Sequence, residues 1–249
     1  MSDVIGIQAV RAVLTESPER ARSLYLQRGR RDARMNELIA LAKAAGVRHQ
    51  AMDGQWFRRR AGEAAHQGAL LECHELALAS EQELFERWAQ LGPRPLLLIL
   101  DGVTDPRNFG ACLRSANGAG VDAVIVPKRR SAPLSPVAMK TAQGGAEDLF
   151  IVEVTNLART IAALQARNVW VVGADGEASF TYSEIDGSGA LAIVLGSEGK
   201  GLRRLTKERC DQLVKIPMLG SVASLNVSVA TGVILFEVQR QRASQPLAS

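Results

Sequence analysis

The chain has 249 residues, 47% hydrophobic and 22% charged, enough to bury one large core or two small ones. Thirty Lys and Arg against 26 Asp and Glu give a net charge of +4, which admits a polyanionic partner without demanding one. Three widely spaced cysteines, no secretory start and apolar runs far short of the ~20 residues of a membrane span leave a cytoplasmic protein with no membrane partner as the expectation.

In chain order, Ile7–Leu14 carries apolar residues at helical spacing, Ser23–Gln27 reads as extended, and Ala33 to Gly46 reads as a helix stopped by its glycine. These elements predict a small α/β module over residues 1–73. The polar, acidic stretch ending in Gly92, Pro93 and Pro95 predicts a linker over 74–93, leaving 94–249 as a second domain. There the pattern predicts strands over 96–101, 122–127, 150–154, 169–175, 191–196 and 212–218. Helices are expected over 109–120, near 136–142, over 157–167, briefly after residue 202, and from Val227 onward. Apolar strands alternating with helices predict a parallel sheet covered on both faces, with ligands beyond the strands' carboxyl ends. The terminal helix from Val227 is apolar around most of its circumference, so burial in the domain or against another subunit is expected.

Three segments place small residues between an apolar strand and a helix: Asp105–Gly120 (DPRNFGACLRSANGAG), Leu195–Leu202 (LGSEGKGL) and Ile216–Ala230 (IPMLGSVASLNVSVA). In order and spacing they resemble the signature motifs of the SpoU/TrmH branch of the SPOUT RNA methyltransferases. The resemblance is strong over Arg94–Arg242. A weaker likeness over Ile5–Cys73 points to the guanosine-2'-O-methyltransferases of large-subunit ribosomal RNA. It implies an α/β SPOUT domain with a parallel sheet and a C-terminal trefoil knot, preceded by a small α/β RNA-binding domain. It also implies S-adenosylmethionine as methyl donor, ribosomal RNA as partner, no metal, and a homodimer through the C-terminal domain. A tRNA 2'-O-methyltransferase and a non-catalytic ribosome-assembly factor of the same fold are the alternatives.

The residues bear on these expectations directly. Methyl transfer to a ribose hydroxyl needs in-line positioning and a group to accept or polarise the proton. His49, His66 and His74 all lie in or beside the first module, which excludes a Ser-His-Asp triad confined to the second domain, and the scattered Cys and His lack zinc spacing. Arg114 is the family's proposed catalytic residue by resemblance. Its guanidinium stays charged, so it suits orienting a phosphate and stabilising an alkoxide better than taking a proton, and pairing with a carboxylate is the plain alternative.

Asn108 follows a DP turn and suits capping a helix from Phe109; the resemblance places it in the active site. Glu198 stands between Gly196 and Gly199, where small neighbours leave its carboxylate prominent. Ser224 and Asn226 flank Leu225 where capping residues are favoured, and the family's Ser-Leu-Asn motif sets both beside the transferred methyl. Gly196, Ile216, Met218 and Leu225 are implied to bind the cofactor, with Pro217 stiffening the loop. RNA contacts are expected from Arg20, Arg22, Arg28, Arg30, Arg31 and Arg34, and from Arg58, Arg59 and Arg60.

Overall fold

The computed structural model describes residues 2–30, 32–62, 66–73 and 78–244. The chain divides into two compact units, residues 1–77 and 78–249. His74 and Arg31, weighed above, lie outside the described residues.

The first unit carries a four-stranded sheet in the order β1 (Ser2–Ile5), β4 (Ala69–Cys73), β2 (Ala21–Gln27), β3 (Arg48–Met52). Only β2 and β3 run parallel. Side-chain alternation splits its core. Leu24, Leu26, Ala69 and Leu71 face α1 (Ile7–Glu16) and α2 (Ala33–Ala44), while Tyr25 and Leu70 meet Phe57 and Trp56 of the short α3 (Gly54–Ala61). The sequence names β2 and both longer helices, but β1, β3 and β4 are new.

In the second unit eight strands line up as β10 (Phe180–Thr181), β12 (Gln212–Lys215), β9 (Trp170–Ala174), β11 (Leu191–Gly196), β6 (Leu96–Asp101), β7 (Ala123–Pro127), β8 (Ile151–Val154) and β5 (Ala79–Ser80). Every pairing among them is parallel. The central strands are apolar without break because both faces are covered. Leu96, Leu98 and Leu100 point toward α5 (Pro106–Gly118), α6 (Pro136–Ala142) and α9 (Val227–Ser244), whereas Leu97 and Ile99 point toward α4 (Glu81–Glu86) and α7 (Leu157–Gln165). After β6 the chain builds outward through β7 and β8, then crosses to build β9, β11 and β12 on the other side. The order reverses between β6 and β11, the kind of crevice where open α/β sheets bind ligands.

Two sequence expectations need correction. The stretch 74–93 is not a linker throughout: β5 pairs with β8, α4 is closed by a capping box of Ser80 and Glu83, and Leu84 is fully buried. Its acidity belongs to the exposed side of a packed helix. Second, α5 begins at Pro106 rather than Phe109, because Asp105 accepts from the N–H groups of Arg107 and Asn108 at 2.9 and 2.8 Å.

Candidate active site

β6 and β11 are hydrogen-bonded neighbours that end in register, Asp101 opposite Gly196. The chain leaving β6 turns into α5. The chain leaving β11 enters a pinched loop in which Ser197 and Gly201 exchange backbone hydrogen bonds of 3.0 and 2.9 Å. Glycine is required at the neck, since a Cβ on Gly196 would stand 2.1 Å from the carbonyl carbon of Gly201. The pinch lifts Glu198 to the loop's tip.

Because Asp105 takes the cap, the Asn108 side chain is released for another use. Its Nδ2 donates to Oε2 of Glu198 at 2.9 Å. Asn226 donates from Nδ2 to Oε1 of Glu198 at 2.9 Å and to Oδ1 of Asn108 at 3.0 Å. Asn226 is fixed in turn by the N–H and hydroxyl of Ser228, which donate to its Oδ1 at 2.9 and 2.6 Å, so it also caps α9. Three segments far apart in sequence thus close a triangle at the carboxyl edge of the sheet, with the amino ends of α5 and α9 beside a carboxylate that their dipoles favour. Each carboxylate oxygen accepts one amide hydrogen and keeps a lone pair for a hydroxyl or ammonium.

Below the triangle lies a pair that sequence reading missed. Asp101, the last residue of β6, is fully buried. It accepts from the backbone N–H of Arg203 at 3.2 Å and from the Arg203 guanidinium, Nε at 2.5 Å and Nη2 closer still. This clamp fixes the returning limb of the Glu198 loop. The only advance signal is an aspartate ending an otherwise apolar strand.

The remaining candidates are placed less tightly. Arg114 is exposed, about 120° around α5 from Asn108, and its side chain makes no hydrogen bond or ion pair with another described residue. The turn after α6 approaches it: a Cβ on Gly145 would lie 3.3 Å from the Arg114 Cα. Ser224 is likewise exposed and outside the triangle. Ile216 packs on the main core, while Met218 and Leu225 stay partly open. From Met218 to Leu225 no backbone group hydrogen-bonds another described residue, which leaves amides and carbonyls free beside apolar side chains, as a purine nucleoside requires. A cavity of about 410 Å³ between Arg94, Asp122 and Arg242 lies at the opposite, amino-terminal edge of the sheet and is no part of this site. Among the described residues no group of three His, Cys, Asp or Glu is placed to hold a metal.

Residues 95–236 match the SpoU rRNA Methylase family. The chain belongs to that family. Residues 4–79 match the family described as RNA 2'-O ribose methyltransferase substrate binding. This SpoU protein is 51% identical over 243 residues to the 23S rRNA (guanosine-2'-O-)-methyltransferase RlmB of Pectobacterium atrosepticum, covering 97% of this chain and 99% of that one. It is 50% identical to the Escherichia coli K12 protein of the same name, covering 97% and 100%. The SpoU methyltransferase AviRb from Streptomyces viridochromogenes, solved in complex with AdoMet, shares the fold with a TM-score of 0.82 at 24% identity, covering 98% of this chain and 91% of that one.

Proposed function

We propose that this protein transfers a methyl group from S-adenosylmethionine to the ribose 2'-hydroxyl of a guanosine in 23S rRNA. The Asn108–Glu198–Asn226 triangle at the reversal between β6 and β11 carries this reading. Near-full-length identity to relatives named for that reaction supports it.

The donor supplies an electrophilic methyl when bound. Gly196, Ile216, Met218 and Leu225 would hold its nucleoside through free backbone groups and partly open apolar side chains. Glu198, steadied by two amides, accepts a hydroxyl or ammonium hydrogen and fixes its direction, while Asn108 and Asn226 keep the carboxylate from rotating. Ser224, one residue before Leu225, has a free hydroxyl for the same region. Arg114 stays charged and unpaired, so its part is to hold a phosphate and offset charge developing on the ribose oxygen.

The same reading includes a homodimer in the cytoplasm and a trefoil knot around the last segment. Val229 and Phe236 of α9 remain 50% and 52% exposed after the helix has buried Val227, Thr231, Ile234, Leu235 and Val238, which leaves an apolar side for a second copy. Asn226 reaching both the loop after β6 and the loop after β11 supports the threading.

Incubating purified protein with labelled S-adenosylmethionine and either protein-free 23S rRNA or tRNA, then mapping ribose methylation, tests the proposal. One guanosine is expected to carry the label, and Arg114→Ala is expected to abolish it with folding intact. Label in tRNA alone would replace the substrate, and RNA binding without transfer would leave an assembly factor.

A further inference from the structure

β7 lies beside β6 at the carboxyl edge of the sheet and hands over directly to Lys128, Arg129 and Arg130. All three are exposed, and none makes a hydrogen bond through its side chain or an ion pair with another described residue. Several other cations of this unit are used internally: Arg203 with Asp101, Lys207 with Asp175, Arg204 with Glu208, Arg159 with Glu81. The turn is built into the site. Ala132 N–H donates to the Val103 carbonyl at 2.8 Å, tying it to the segment that leads to Asn108. A Cβ on Gly102 would lie 3.7 Å from Ser197 Cβ and 3.9 Å from the Arg130 carbonyl oxygen, so the cationic turn and the Glu198 loop flank the same glycine. Arg130 adopts φ 65°, uncommon for a side-chain-bearing residue. Arg107, exposed in the first turn of α5, adds a fourth unpaired cation on this edge.

We propose that Lys128, Arg129, Arg130 and Arg107 form a phosphate-gripping rim on the catalytic unit that holds the RNA backbone on either side of the target ribose. The inference rests on the reading of the triangle as the methyl-transfer site. A methylated ribose is flanked by two phosphodiesters, so an enzyme that aligns its hydroxyl gains from cations next to the reacting group. Four unpaired cations beside a single held carboxylate meet that need.

The test uses the full-length protein, with RNA affinity measured against salt concentration, S-adenosylmethionine affinity by calorimetry without RNA, and methyl transfer rates. In Arg129→Ala/Arg130→Ala the RNA Kd and KM are expected to rise about tenfold. The slope of log Kd against log salt should become shallower by about 0.7 to 0.9 for each phosphate the variant no longer grips. Donor affinity should stay within twofold of wild type, and Arg129→Lys/Arg130→Lys should recover the slope. An unchanged RNA Kd and slope overturns the proposal. So does an unchanged slope with weakened self-association in sedimentation, which would make the turn an interface between copies. A wild-type protein that binds RNA with the predicted slope dependence on these residues yet transfers no methyl would sink the activity while leaving the rim standing.

Discussion

Asn226 does two things at once, and substitutions separate them. Its Oδ1 caps α9 and its Nδ2 holds both Glu198 and Asn108. Asn226→Ala removes both functions and should lower stability by about 1 kcal/mol, the usual worth of an N-cap, whereas Asn226→Ser keeps an acceptor for the cap. Both should lower kcat/KM by about 100-fold, since misplacing a reacting group by ~1 Å costs that much. A serine variant with wild-type turnover would remove Asn226 from the site. Asp101 is a second case. Asp101→Asn should cost no more than about 3 kcal/mol, because Arg203 stays 41% exposed, while raising the S-adenosylmethionine Kd through a loosened Glu198 loop. Lower stability with donor affinity kept would make the clamp purely structural. Burial pushes the thiols of Cys112 and Cys210 up to about 11 and about 12, so at pH 8 neither should alkylate in the native protein while both do after denaturation.

At the level of elements, close approach sets the tolerances. A Cβ on Gly110 would stand 2.2 Å from the Ala138 carbonyl oxygen, so Gly110→Ala must push α5 and α6 apart and is expected to cost about 2 to 3 kcal/mol in denaturant unfolding. The short α8 (Arg204–Lys207) is pinned by Lys207 to Asp175 at 2.7 Å. Burial pushes the Asp175 carboxyl up, but the Lys207 ammonium and the Glu177 N–H outweigh it and leave it below the ordinary value. A carboxyl lowered on folding stabilises above its unfolded value of ~3.9 and loses that contribution as pH falls through the folded value. The stability gap between wild type and Asp175→Asn should therefore be full at pH 7 and close below about pH 4.

Elements also show what is legible in the sequence. Strands buried on both faces announce themselves as unbroken apolar runs, which is why β6 and β11 are plain, whereas β5 and β10 are two-residue edge pairings with no periodicity to read. The α4 segment reads as a linker because one buried leucine, Leu84, is little hydrophobic signal, although Ser80 and Glu83 spell its capping box. Asn108 draws the expected start of α5 to itself, when the Asp-Pro pair ahead of it carries the stronger cap. The residues of the triangle can be named from motifs, but their mutual hydrogen bonds depend on tertiary closure over 90 and 118 positions, and the Asp101–Arg203 clamp on closure over 102.

Across the whole molecule, charge is divided unevenly. Residues 1–77 hold 12 of the 30 Lys and Arg against 9 of the 26 Asp and Glu, so under a third of the chain supplies +3 of the net +4. Several expected RNA-contacting arginines are occupied: Arg60 pairs with Asp3 and Glu72, and Arg30 with Asp32, while Arg28, Arg34 and Arg59 remain exposed. Because each unit has its own core, a fragment of residues 78–249 should fold, bind S-adenosylmethionine like the full protein, and lose most RNA affinity at about 150 mM salt. A fragment that bound rRNA as tightly as the whole would move recognition into the catalytic unit.

The triangle also has a place in time. Asn108 and Glu198 are synthesised before Asn226, so a translation product halted between Glu198 and Asn226 carries two of three corners and no cap for α9. Such a fragment has a carboxylate steadied from one side only. Ribosomes are both the maker of this chain and the source of its proposed target, and the order of its corners predicts that copies halted before Asn226 transfer no methyl group.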